Sequence, residues 1–74
     1  MNNFPSKEAV ERLRREYPAG TRVELIAMDD PYTKLKPGDL ATVRGVDDAG
    51  SILCEWDTGS SLSLIPEADK LRIV

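Results

Sequence analysis

WDTGSS, residues 56–61, can be the loop of a catalytic aspartate or the turn of a hairpin, and the two choices lead to different architectures. The flanking residues favour the turn. Ile52, Cys54 and Trp56 alternate with Leu53 and Glu55 before it, and Leu62 and Leu64 share a face after it, which is the period of strands with one buried side. Gly59 ends a short polar run, where a hairpin made from a type I turn and a bulge needs positive φ. In such a turn Asp57 is expected to accept backbone hydrogen bonds, with Thr58 at the exposed tip. VDDAGS, residues 46–51, repeats the construction with Gly50 in the place of Gly59.

Working outward, a strand from about Asp39 to Val46 precedes the first of these turns, with Ala41 and Val43 inward. Pro37-Gly38 before it fits the central positions of a type II turn, because Pro presets φ and Gly accepts φ > 0. The long stretch AMDDPYTKLKPGD, residues 27–39, separates this strand from an earlier one in which Val23 and Leu25 alternate with Arg22 and Glu24. On the C-terminal side PEAD, residues 66–69, is one tight turn leading to a last strand, Lys70 to Val74. At the N-terminus Ser6 can cap a helix whose Val10, Leu13 and Tyr17 fall on one side. Glu8 with Arg12 and Glu11 with Arg15 are favourable pairs on its charged faces. Pro18 and Gly20 stop this helix near Glu16.

Strand, long loop, strand, hairpin, strand, hairpin, strand, single turn and strand is the connectivity of a mainly β fold: a five-stranded SH3-like barrel with a short N-terminal α-helix. Residues 1–20 form the helix and linker, and residues 21–74 the barrel. The expected core is Val23, Leu25, Val43, Ile52, Cys54, Trp56, Leu62, Leu64, Leu71 and Ile73, with the helix covering an open end or edge.

Composition narrows the function classes. A chain of 74 residues is one domain, and at this size only about 60% of the unfolded surface is buried, which argues against a deep enzyme cleft. The formal charge of −3 argues against a broad grip on phosphates. One Cys and no His exclude a disulfide framework within the chain and a Cys/His zinc site. Neither a signal-peptide h-region nor a membrane span is expected, which makes the cytoplasm the default location.

The letters Asp57-Thr58-Gly59-Ser60-Ser61 also surround the catalytic aspartate of pepsin-like proteases. That chemistry needs two aspartates sharing one proton, which a chain with one such motif supplies only as a homodimer. The 17 residues after Asp57 hold one turn and two short strands, from which no flap is expected. Glu55-Trp56 also puts a charged and a very large residue where the protease strand is apolar and tightly packed. The hairpin is therefore the expected structure, and the chain is expected not to be an enzyme.

Residues 17–74 resemble the small bacterial and phage or mobile-element proteins grouped as domain of unknown function 4314. The resemblance is carried by Tyr17-Pro18-Ala19-Gly20-Thr21-Arg22-Val23, Met28 with Asp29 and Pro31, Pro37-Gly38, and Trp56-Asp57 through Gly59. The sequence departs from that pattern at Ala41 and Thr58, where Gly and Asn are expected. It implies an architecture and no activity.

Candidate sites follow from what is left. Asp29, Asp30 and Tyr32 in the long loop, beside Trp56 at a strand end, suggest a shallow acidic and aromatic groove for a basic or proline-rich peptide. The competing role of Trp56 is to fill the core. Asp29-Asp30 and Asp47-Asp48 are paired carboxylates but match no cation-binding loop, so no metal and no cofactor is expected. Cys54, inward-facing and without His, reads as a small buried hydrophobe. The expected partner is a protein or peptide, with no membrane. The alternative is a KOW-like barrel associated with nucleic acid or ribonucleoprotein, suggested by Pro37-Gly38-Asp39 and Thr42-Val43, with Lys34, Lys36 and Arg44 joined by Arg12, Arg14 and Arg15 as contacts.

Overall fold

The computed structural model describes residues 5–28, 34–66 and 68–74. Its first element is the helix α1 (Lys7–Glu16), where the Ser6 hydroxyl oxygen accepts from the Ala9 amide at 3.1 Å. That bond satisfies one of the amides a helix start leaves unpaired. At the other end the Tyr17 amide donates to the Leu13 carbonyl, and Pro18–Thr21 closes into a turn as the Thr21 amide meets the Pro18 carbonyl. Val10 is buried, and Leu13 and Tyr17 pack beside it against the core.

Four strands follow: β1 (Arg22–Ala27), β2 (Leu40–Val46), β3 (Ile52–Trp56) and β4 (Lys70–Ile73). They form one antiparallel sheet in the order β3-β2-β1-β4. The two hairpin turns have the construction read from their glycines. The Gly50 amide donates to the Asp47 carbonyl while the Asp47 amide donates to that of Ser51, and Gly59, Trp56 and Ser60 repeat the arrangement. Both glycines have positive φ, +81° and +100°. At the type II turn the Asp39 amide reaches the Lys36 carbonyl across Pro37-Gly38.

The expected fifth strand is reduced to one bridge, Ile52 with Leu64. Trp56 and Ser60 bond at the other end of the same segment, so the backbone runs beside β3 in strand register. The rung between them, Cys54 with Leu62, is diverted. The Leu62 carbonyl accepts from the Trp56 indole at 2.9 Å, and its amide donates to the Ser60 hydroxyl at 3.3 Å. A tryptophan that needs a partner for its buried N–H has taken one from the ladder. Among the described residues the sheet is therefore open and four-stranded.

The core contains Val23, Leu25, Val43, Ile52, Cys54, Trp56 and Leu64 as expected, together with Val10, Leu35, Ala41 and Val46. Leu62 and Leu71 are partly buried. Ile73 is a correction: it is 53% exposed, because β4 is an edge strand and nothing described covers its inner face beyond Leu71. A register shift between Val43 and Gly45 restores Val46 to the inside after Val43. The helix rests on this end of the sheet. Arg14 donates through Nε to the Val46 carbonyl at 3.1 Å and pairs with Asp48 at 2.9 Å, pinning α1 to the 47–50 turn.

Candidate functional site

Of the four residues singled out for a groove, Asp29, Asp30 and Tyr32 lie outside the described residues. Trp56 lies inside the core at 2% exposure, the core-filling role expected of it, so its ring does not form an open wall. Its neighbours explain this: β3 turns Ile52, Cys54 and Trp56 to one side, and that side faces the core. The long loop returns with Leu35 buried at its C-terminal end. This anchor went unread because one leucine among Lys, Pro and Gly carries no periodicity.

Asp57 is exposed in the turn, as read, but its carboxylate does not cap backbone amides. It takes both ends of the Arg22 guanidinium, at 2.8 and 2.6 Å, and Arg22 also donates to the Thr42 hydroxyl at 3.0 Å. The hydrogen bonds and charge of Arg22 hold the Asp57 carboxyl below the usual carboxylate range. A carboxylate kept ionised by a bidentate guanidinium is a strut from β1 to the hairpin, unlike an acid that shares a proton with a second aspartate. The backbone-capping role expected of Asp57 belongs instead to Asp47, which accepts from the amides of Ala49 and Ser51 at 3.0 and 2.9 Å.

The pairing fixes a pH dependence. The folded-state pKa of Asp57 lies below its unfolded value, so the unfolded chain binds the proton first as pH falls. The stability contributed by the pair is then complete above the unfolded pKa, about 3.9, and is lost as pH falls through the folded value. Chemical denaturation of wild type and Asp57→Asn should show a midpoint difference that is constant above about pH 5 and closes in more acid solution. A difference that persists unchanged at pH 2 would remove the ion pair as its cause. The turn itself should survive the substitution, since Asn serves turns as well as Asp.

Two further arginines on the strands are similarly engaged. Arg44 pairs with Glu55, and Arg72 with Glu24. Asp48 is held by Arg14, so the Asp47-Asp48 pair is divided between a turn and an ion pair, and among the described residues no group of three potential ligands is placed to hold a metal. Burial pushes the Cys54 thiol up to about 11, and its Sγ lies 3.5 Å from the Ile52 carbonyl. At that pKa the thiolate is scarce at neutral pH, which makes Cys54 an inert core residue.

Of the depressions among the described residues, two bear on this frame. One, of about 610 Å³, lies on the outer face between Gly20, Thr42, Arg44, Glu55 and Asp57. The other, of about 340 Å³, lies along the unclosed side of the sheet between Tyr17, Ile26, Ile52, Leu64 and Leu71, with Asp69 and Lys70 on its lining. The Asp69 carboxylate accepts from the Ile65 amide at 3.0 Å, and the Asp69 amide donates back to the Ile65 carbonyl at 2.8 Å. This exchange holds the corner that leads into β4.

A family model for "Domain of unknown function (DUF4314)" matches residues 6–74. The chain belongs to this family. The match begins at the Ser6 helix cap and runs through β4, so the family's unit takes in the helix along with the sheet it packs on. The curated proteins and the solved structures give no match. Among the described residues no helix is long and apolar enough to cross a membrane.

Proposed function

We propose that the chain is a non-enzymatic SH3-like barrel module that binds a protein or peptide. The observation that carries this reading is the state of the arginines. Arg22, Arg44 and Arg72 each meet a carboxylate across the sheet, and Arg14 meets Asp48. A polyanion is gripped by clustered cations that release its counterions, and a face of neutralised pairs offers little of that. Mixed polar rims beside apolar depressions suit a protein surface. The barrel description is supported by the 60–64 segment, which follows β3 in register, and by the single turn that leads to β4. A cytoplasmic site of action belongs to the same proposal.

The nucleic-acid alternative loses Arg44 and Arg14 to ion pairs and retains Lys34, Lys36, Arg12 and Arg15. Titration with single- and double-stranded oligonucleotides at about 50 mM salt should give no binding; salt-sensitive binding there would reverse the order of the two readings. The module is tested by affinity capture from lysate. A partner captured by wild type and lost with Asp30→Lys and Tyr32→Ala places binding at the long loop. A partner retained undiminished by both variants moves the site elsewhere, and failure to capture any partner counts against the module itself.

A further inference from the structure

The Val74 amide donates to the Arg22 carbonyl at 3.0 Å, and the register sets Arg72 opposite Glu24 and Ile73 opposite Val23. In an antiparallel ladder, alternate residues turn their N–H and C=O toward the neighbouring strand. Arg72 and Val74 therefore face β1, while Leu71 and Ile73 present their backbone groups to the other side. No described strand pairs with that side of β4. Its side chains are sorted by the same alternation. Leu71 and Ile73 share the inner face with Leu25 and Val23, and Lys70 and Arg72 stand on the outer one. Ile73 is 53% and Val74 57% exposed, and Ile26, beside the bulge in β1, is 42% exposed and lines the same depression as Leu71.

We propose that β4 is a docking edge for an extended segment of another protein in which apolar and acidic residues alternate. Each part of that description answers a feature of the edge. N–H and C=O groups in strand geometry that no described strand pairs are met by an added strand, whose main-chain bonds supply affinity while alternate side chains supply selectivity. On the inner face an apolar residue covers Ile73 and continues the row from Val23. On the outer face a carboxylate meets Lys70, which forms no ion pair among the described residues, whereas Arg72 is already engaged by Glu24. A second copy of the chain fits less well, because antiparallel pairing of two β4 strands sets Lys70 and Arg72 of one against those of the other, and like charges directly opposite are destabilising. The inference rests on the reading of the chain as a binding module and moves its contact surface from the long loop to the sheet edge.

The probes are blocked eight-residue peptides alternating valine with glutamate or valine with lysine, titrated into the full chain with backbone NMR as the readout. The glutamate peptide should shift the Leu71 and Ile73 amides and bind about threefold more tightly than the lysine peptide, the ratio expected when one cross-strand pair, that with Lys70, changes from attraction to repulsion. Ile73→Pro should abolish binding with the sheet intact, since proline is tolerated on an edge strand where the lost N–H faced outward. Lys70→Glu should reverse the preference between peptides without altering the fold. Shifts confined to residues away from β4, equal affinity for the two peptides, or a wild-type dimer that Ile73→Pro dissolves would each overturn the proposal. If affinity capture yields a partner that Ile73→Pro still binds, the edge is the wrong surface and the module reading stands.

Discussion

Trp56→Ala is expected to leave the chain unfolded or barely folded at 25 °C. Trp56 is 2% exposed and is the largest fully buried side chain, and truncating such a residue costs about 3–5 kcal/mol through lost burial and the cavity left behind. The loss continues beyond the ring. The Leu62 carbonyl, which accepts from the indole at 2.9 Å in a partly buried bond, loses its partner, and the loss of such a hydrogen bond adds about 0.5–1.5 kcal/mol. A domain of 74 residues at about 0.05–0.15 kcal/mol per residue has a total stability of roughly 4–11 kcal/mol, so the variant removes most or all of it. Trp56→Phe separates the two effects by keeping an aromatic ring without the N–H. Urea denaturation followed by circular dichroism should place Trp56→Phe between wild type and Trp56→Ala, and a wild-type midpoint for the alanine variant would show that the core does not depend on this ring.

Gly50→Val should cost about 2–6 kcal/mol, and more than Gly59→Val. The two glycines hold the same place in equivalent hairpins, at φ +81° and +100°, and a residue forced into that sparsely populated region pays about 1–3 kcal/mol, with β-branched side chains at the upper end. What separates them is their surroundings. A Cβ on Gly59 meets nothing within 4 Å, whereas one on Gly50 lies 2.8 Å from Cγ of Pro5 and 3.8 Å from a Leu13 methyl carbon. Overpacking of this kind adds about 1–3 kcal/mol. Pro5 immediately precedes the Ser6 cap, so relief of the clash disturbs the start of α1. Pro5→Gly combined with Gly50→Ala is the diagnostic pair: removing the proline ring should bring the cost of Gly50→Ala down to that of Gly59→Ala. If the two single alanine variants have the same denaturation midpoint, the helix does not press on this turn.

The sequence carried most of the sheet because its strands advertise themselves by alternation and its turns by glycine. Ser6, Pro18, Gly38, Gly50 and Gly59 bound their elements for reasons local to a few residues, and each is found in that role. What escaped the sequence was decided by contacts distant along the chain. The bidentate pair of Asp57 with Arg22 joins residues 35 positions apart, and no local pattern distinguishes it from a carboxylate capping its own turn. Val46 stays inside only because of the shift at Gly45, which breaks the period that a simple alternation would follow. The rung at Leu62 gives way to an indole donor, so a segment with strand spacing lacks a full ladder. The alternation that predicted β3 also put the Trp56 ring inside, where it is found, while the other groove residues, Asp29, Asp30 and Tyr32, lie outside the described residues.

The partner of β4 is also the strand most distant from it in the chain: Val23 pairs with Ile73, whereas β2, β3 and the segment to Leu64 are joined by two short turns. Closing a ten-residue loop takes about 10–100 ns and forming a hairpin about 1–10 μs, while joining distant strands must first pay the entropy of the much longer loop between them. The β2–β3 meander is therefore the natural nucleus, and docking of β4 onto β1 is a late event. Substitutions in β4 should accordingly change the unfolding rate much more than the folding rate, and those in the β2–β3 hairpin should do the opposite.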